Sequence, residues 1–213
     1  MKKTGVLMMI AFVIWTGLIQ IIDVQPVGVA GTTVGFATLN VWFHELTGVH
    51  MTIYTMTDWL GLLPIFVCFI FGIIGCWQMI QRKGVLKVDL DILLLGVYYA
   101  IVIFGYLFFE MFPINYRPIL IEERMEASYP SSTTLLVLSV MPTLCLQTNH
   151  RLRKECVKKI IRVLTIGFTL FMVIGRLVSG VHWMTDIAGS ILFSSGLFYI
   201  YREIVLLYCW KEK

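Results

Sequence analysis

Six stretches of this chain carry little but apolar side chains, and each is long enough to cross a bilayer. They fall at about 5–22, 59–80, 92–109, 131–147, 161–178 and 187–208, close to the ~17 to 25 residues that span a hydrocarbon core as a helix. No water is present in that core to satisfy a backbone N–H or C=O. A spanning segment must therefore pair its own polar groups as a helix or join a closed barrel. Continuous apolar runs of this length, without strand-like alternation, read as helices. Only 14% of the residues are charged, against about 25% in an ordinary soluble domain, and the mean hydropathy is +0.84. The expected fold class is all-α, a polytopic membrane protein of six transmembrane helices in a single domain over residues 1–213, with no internal repeat or separate soluble domain. The opening MKKTGVLMMIAFVIWTGLIQ has the basic start of a secretory signal, but its apolar run is long and no A-x-A-like site follows. It reads as a retained first helix.

Lys and Arg accumulate in cytoplasmic loops. Lys2 and Lys3 precede the first run, Arg82, Lys83 and Lys87 follow the second, Arg151, Arg153, Lys154, Lys158, Lys159 and Arg162 follow the fourth, and Arg202, Lys211 and Lys213 end the sixth. This places both termini in the cytoplasm of an integral, multi-pass plasma membrane protein. Of 17 basic residues, three remain for the outer face, and all are Arg: Arg117, Arg124 and Arg176. Arg makes planar, bidentate contacts with phosphate and carboxylate, so these three point to an outward-facing oxyanion site. The competing reading is interfacial Arg snorkelling to headgroups. The net charge of +4 is accounted for by topology and by anionic inner-leaflet lipid, so no nucleic-acid partner is called for. A homo-oligomer is compatible with the sequence. Cys68, Cys76, Cys145, Cys156 and Cys209 show no C-x-x-C pair; free thiols are expected, with neither a disulfide framework nor a metal site.

Charged side chains beside apolar segments are costly and mark function. They concentrate at Gly175–Asp186, GRLVSGVHWMTD, where Arg176 stands six residues before His182 and His182 four before Asp186. His182 is expected to open the sixth helix with Asp186 on its face. A carboxylate there would fix the imidazole tautomer and leave the other ring nitrogen free to attack. The same spacing also describes a satisfied helix-end pair. A metal site is the weaker reading, because no second His or carboxylate has ligand spacing. Of the other histidines, His150 lies in a cytoplasmic loop, and His44 and His50 lie on the outer side.

Arg176, His182 and Asp186 in this spacing resemble the third signature of the type 2 phosphatidic acid phosphatase superfamily, membrane lipid phosphatases with six transmembrane helices. Arg117-Pro118 is similar to the end of its first signature, and Tyr129-Pro130-Ser131-Ser132-Thr133 falls where the second reads Pro-Ser-Gly-His. The resemblance implies that His182 attacks phosphorus and becomes a phosphohistidine, and that Asp186 orients it. It implies too that Arg117, Arg176 and Ser131 hold phosphate oxygens, with no cofactor. Ser132, Thr133 and Arg124 complete the expected phosphate-binding set. Phosphoryl transfer needs an in-line nucleophile and positive charge on the equatorial oxygens, which such a set supplies. Pro130 just before a helix suits a phosphate cradle of unpaired N–H groups, and PSSTT also reads as a simple N-cap.

Three positions depart from the pattern. Glu110 stands where the family has Lys, and Arg124 is placed to restore that charge. Ser132 replaces Gly, narrowing the backbone approach. Thr133 replaces the His that protonates the leaving group, and a hydroxyl with no usable pKa is no efficient general acid. Three readings of that loss stand. The substrate is a polyprenyl or lipid diphosphate, whose phosphate leaving group has a second pKa of about 6 and needs little protonation. Alternatively, His44 or His50 reaches in from Asp23–Asp58, or the protein binds lipid phosphate without hydrolysing it. In that segment Phe36, Leu39, Trp42, Phe43 and Leu46 share an arc, with Thr38, Asn40, His44 and Glu45 mostly opposite, either a lip in the outer interface or ordinary packing. The sequence leads to a membrane phosphatase or phosphotransferase acting on a lipid phosphate or diphosphate, with a non-catalytic lipid-phosphate binding or transport protein as the alternative.

Overall fold

The computed structural model describes residues 2–210; Lys211 and Lys213 of the basic C-terminal group lie outside the described residues. Eight helices run in order: α1 Lys2–Ile19, α2 Ala37–Thr47, α3 Met51–Leu60, α4 Leu62–Arg82, α5 Leu90–Met111, α6 Ser132–Arg151, α7 Glu155–Val178 and α8 Met184–Tyr208. The chain is all-helical among the described residues, as its apolar runs require, and every run became a helix. Four stretches are long and apolar enough to cross a membrane: Met51–Arg82, which joins α3 to α4, then α5, α7 and α8. α1 is a shorter apolar helix.

α6 is the most polar of the long helices, and packing explains why. It buries Ser139, Thr143 and Gln147. Tyr98 of α5 donates to the Ser139 carbonyl at 3.0 Å, Tyr99 pairs with Thr143 at 2.7 Å, and Gln147 donates to Tyr201 of α8 at 3.0 Å. A helix enclosed by α5, α7 and α8 meets protein on most sides, so polar side chains such as Thr143 and Gln147, hydrogen-bonded to its neighbours, replace the apolar surface that lipid contact demands, while the Ser139 hydroxyl is buried without a partner.

α1 lies antiparallel against α8. A Cβ on Gly196 would approach the Met9 sulfur to 2.7 Å, so this glycine sets how closely the two helices pack. Phe12 of α1 stacks on Phe193 of α8 at 4.7 Å and meets Phe109 of α5 edge-on at 5.8 Å, closing the core just below the site. At the opposite end Arg82 pairs with Asp89 at 2.7 Å and Arg151 with Asp91 at 2.6 Å, tying α4, α5 and α6 together. The hydrogen bond from Arg82 holds the Asp89 carboxyl below its ordinary range. The helix order puts Lys3, Arg82, Lys83, Lys87, Arg151, Arg153 and Lys154 at that end, and Arg117, Arg124 and Arg176 at the other.

The Asp23–Asp58 segment is built as two further helices, and α2 is turned the reverse way from a soluble amphipathic helix. It buries Asn40, which donates to the Gly35 carbonyl at 2.9 Å and to Thr185 of α8 at 3.0 Å, while Leu39, Trp42 and Leu46 are exposed. Polar bonds hold α2 to the body, and Phe36, just before α2, stacks on Trp15 of α1 at 5.2 Å, so only part of the apolar arc is left exposed.

Candidate active site

Arg176 ends α7, His182 lies in the turn that follows and Asp186 sits in the first turn of α8. Gly180, at φ +72°, supplies the left-handed residue that reverses the chain there. His182 therefore precedes α8 by two residues instead of opening it. Asp186 accepts the Trp183 backbone N–H at 2.9 Å and so caps its own helix.

The loop between α5 and α6 folds back over this turn. Arg117 donates its backbone N–H to Glu126 at 3.1 Å, Ser128 donates to the Asn115 carbonyl at 2.9 Å, and the Trp183 indole donates to the Tyr116 carbonyl at 2.8 Å. These bonds bring two residues to the site for which sequence reasoning had no role, Ser128 and Asn115. The Asn115 amide donates to Asp186 Oδ1 at 3.1 Å, and the Ser128 hydroxyl donates to Asp186 Oδ2. His182 Nδ1 is 3.0 Å from the Ser128 hydroxyl and 3.2 Å from the Ser128 carbonyl, but 4.0 Å from Asp186 Oδ2. The expected direct His182–Asp186 contact is thus replaced by a relay: a carbonyl can only accept, so Nδ1 carries the proton, and Ser128 receives it on one side while donating to Asp186 on the other. Their places were the one signal in the sequence, Ser128 immediately before Tyr129-Pro130 and Asn115 two residues before Arg117-Pro118.

With Nδ1 protonated, Nε2 holds the lone pair. It is buried and has no hydrogen-bond partner, as does Arg117 Nη1. Both residues line a cavity of about 460 Å³ together with Tyr106, Glu110, Arg124, Glu126 and Ser132. Burial pushes the His182 pKa well below the ordinary 6.5, and the Arg117 and Arg176 charges push it the same way, against a weaker opposing pull from the Ser128 carbonyl. The ring is neutral, the form a nucleophile requires. Arg117 is held from outside by Glu126, Nε to Oε2 at 3.1 Å.

Around this cavity the structure gathers His182, Arg117, Arg124 and Ser132, together with Glu110. Asp186 stands behind His182. Ser131, Thr133 and Arg176 are outside the walls. Ser131 occupies the N-cap position of α6 with its hydroxyl on Thr134 Oγ1 at 3.1 Å. Arg176 is fully buried and turns towards α3: Nη2 donates to Thr133 Oγ1 at 2.6 Å and to Asp58 Oδ1 at 3.1 Å, Nη1 donates to the Tyr54 carbonyl at 3.3 Å, and its guanidinium lies 4.8 Å from the Tyr54 ring centroid. Neither outer histidine enters the cavity. His44 Nε2 bonds the Gly180 carbonyl at 3.1 Å, and His50 Nε2 bonds the Thr47 carbonyl at 2.8 Å.

An oriented neutral imidazole beside unpaired guanidinium donors, at one end of a bundle built to cross a bilayer, has the make-up of a membrane phosphatase site. The family model of the PAP2 superfamily matches residues 94–208, more than half of the chain, and the protein belongs to that superfamily. Its fold is similar to the crystal structure of a transmembrane PAP2-type phosphatidylglycerolphosphate phosphatase from Bacillus subtilis, with a TM-score of 0.70 over 97% of this chain and 98% of that one, at 17% identity. No match was found among the curated proteins.

Proposed function

We propose that the protein is a lipid phosphatase or phosphotransferase that works through a phosphohistidine at His182. One observation carries the reading: the buried, unpartnered Nε2 of His182 faces a cavity that also receives an unpaired nitrogen of Arg117. Buried side-chain nitrogens are ordinarily bonded, and this one instead opens on the cavity beside an unpaired guanidinium nitrogen.

In the proposed reaction Nε2 attacks phosphorus in line with the departing oxygen. The imidazole gains positive charge as the N–P bond forms, and Nδ1–H passes that charge's demand through Ser128 to Asp186. Arg117 and Arg124, with the free N–H groups at the start of α6, hold the equatorial oxygens. Water then cleaves the N–P bond, or an acceptor hydroxyl does so in transfer. A lipid or polyprenyl diphosphate suits Thr133, because its leaving phosphate needs little protonation. The reading places the site at the outer face, with the basic end of the bundle and both termini in the cytoplasm, six helices crossing the membrane, and the exposed part of the apolar arc of α2 lying in the outer interface. Thr133, bonded to Arg176 in place of an acidic group, favours the second reading, a lipid-phosphate binding or transport protein without turnover.

Phosphate release from a panel of lipid monophosphates and diphosphates separates the two. Turnover with an acid-labile phosphoprotein, both absent from His182→Ala, is the expected result. Full activity in His182→Ala ends the phosphohistidine reading, and binding without release in the wild type favours the alternative.

A further inference from the structure

The polar cavity adjoins a second one of about 280 Å³ between α4, α5 and α6, walled by apolar residues such as Leu62, Ile65, Val102 and Leu136. Tyr106 and Ser132 line both cavities. A lipid phosphate with phosphorus at His182 and the start of its chain in the apolar cavity must thread its ester oxygen through the Tyr106–Ser132 throat. Asp58, near the end of α3, and Thr133 stand on the apolar side of that throat. Asp58 is the one carboxylate lining the apolar cavity. Asp58 Oδ1 and Thr133 Oγ1 bind the same nitrogen, Arg176 Nη2, so the carboxylate is one atom removed from the hydroxyl that has no proton to give near neutrality.

We propose that Asp58 is the general acid for lipid monophosphates, protonating the departing alkoxide; this rests on the phosphatase reading above. The groups facing Asp58 are Arg176 from α7, Thr133 from α6 and Tyr106 from α5, with Arg117 beyond the Tyr54 ring at 5.8 Å. In the unliganded site Arg176 pairs with the Asp58 carboxylate. The acid step uses the protonated carboxyl, its proton taken from solvent, to which the Asp58 side chain is 57% exposed. As the bond from His182 Nε2 to phosphorus forms and the phosphorus–ester oxygen bond breaks, the Asp58 proton passes to that oxygen and free alcohol departs. The Asp58 carboxylate then takes a proton from the water that attacks phosphorus. The N–P bond breaks, its electron pair returns to Nε2, inorganic phosphate leaves, and Asp58 is again protonated.

The test compares purified wild type with Asp58→Asn on a long-chain alkyl monophosphate and on a polyprenyl diphosphate. The monophosphate rate should fall by about 10²- to 10⁴-fold, the range general acid catalysis supplies, and the diphosphate rate by much less. Asp58→Glu should restore part of the monophosphate rate. The wild-type monophosphate rate should also decline with rising pH more steeply than the diphosphate rate, which decides the matter should Asp58→Asn fail to fold. Equal losses on both substrates, a selective loss in Tyr106→Phe with none in Asp58→Asn, parallel wild-type pH profiles, or no monophosphate turnover beside good diphosphate turnover would each overturn the proposal while leaving a phosphatase. Inactivity of the wild type on every substrate would instead remove the phosphatase reading itself.

Discussion

Replacing Ser128 by Ala tests the relay behind His182. The hydroxyl makes two contacts, to Asp186 Oδ2 and to His182 Nδ1 at 3.0 Å. Its loss leaves Asp186 with Asn115 and the Trp183 N–H, so the carboxylate keeps two donors, and leaves Nδ1–H with the Ser128 carbonyl at 3.2 Å. The tautomer therefore survives, and what disappears is the path by which the imidazolium formed in the transition state reaches the carboxylate. A hydrogen bond to a charged group contributes about 1.5–3 kcal/mol, which is about a 10- to 150-fold loss in the rate of phosphoenzyme formation. Asp186→Asn should cost more, because it removes the charge and inverts the donor at Oδ2. Rapid-quench single-turnover measurements on a diphosphate lipid would read the step directly, with thermal unfolding in detergent as a check that the variant is folded. A loss below threefold in folded Ser128→Ala, alongside a large loss in Asp186→Asn, would show that Asp186 acts on His182 without Ser128.

The depressed His182 pKa predicts that kcat on a diphosphate lipid stays level as pH falls through 6.5, with its acid limb well below that value; a limb centred at or above 6.5 would contradict it. The same depression means that the unfolded chain binds the proton the buried ring refuses, so this group's contribution to stability is full above about 6.5 and is lost as pH falls below it, measurable by denaturation across that range. Glu126→Gln should free Arg117 and tighten inhibition by inorganic phosphate by about two- to fivefold, the modest worth of a half-exposed ion pair; unchanged or weaker inhibition would show that Glu126 does not compete for Arg117. In a cysteine-free background, Leu120→Cys should react with an impermeant reagent on intact cells, and reaction only after the membrane is opened would reverse the proposed orientation.

Much of the architecture was legible one residue at a time. A run of apolar side chains too long for a soluble core has to become a helix in lipid, whatever it packs against, so all six runs appear. The local spacing of Arg176, His182 and Asp186 likewise marked the place of the chemistry, because those three lie within one turn and the helix ends beside it. Other features needed the assembled bundle. The polarity of α6 makes sense only with α5 and α8 around it, and nothing in its own sequence says which neighbours accept its hydrogen bonds. Arg176 was legible as an oxyanion ligand, yet its guanidinium is turned to Asp58, Thr133 and Tyr54, partners 118, 43 and 122 residues away in sequence.

The sequence by itself determined a membrane-spanning helical chain and the identity of its nucleophile candidate, since both follow from local chemistry: hydropathy over a span, and three functional groups within eleven residues. Only the tertiary structure decided which atoms meet. The loop between α5 and α6 brings Ser128 and Asn115 to a carboxylate 58 and 71 residues further on, and α3 brings Asp58 to the mouth of an apolar cavity. The physical reason is that a hydrogen bond or a shared cavity depends on distances of a few ångströms, set by how helices and loops pack, and sequence separation carries no record of them.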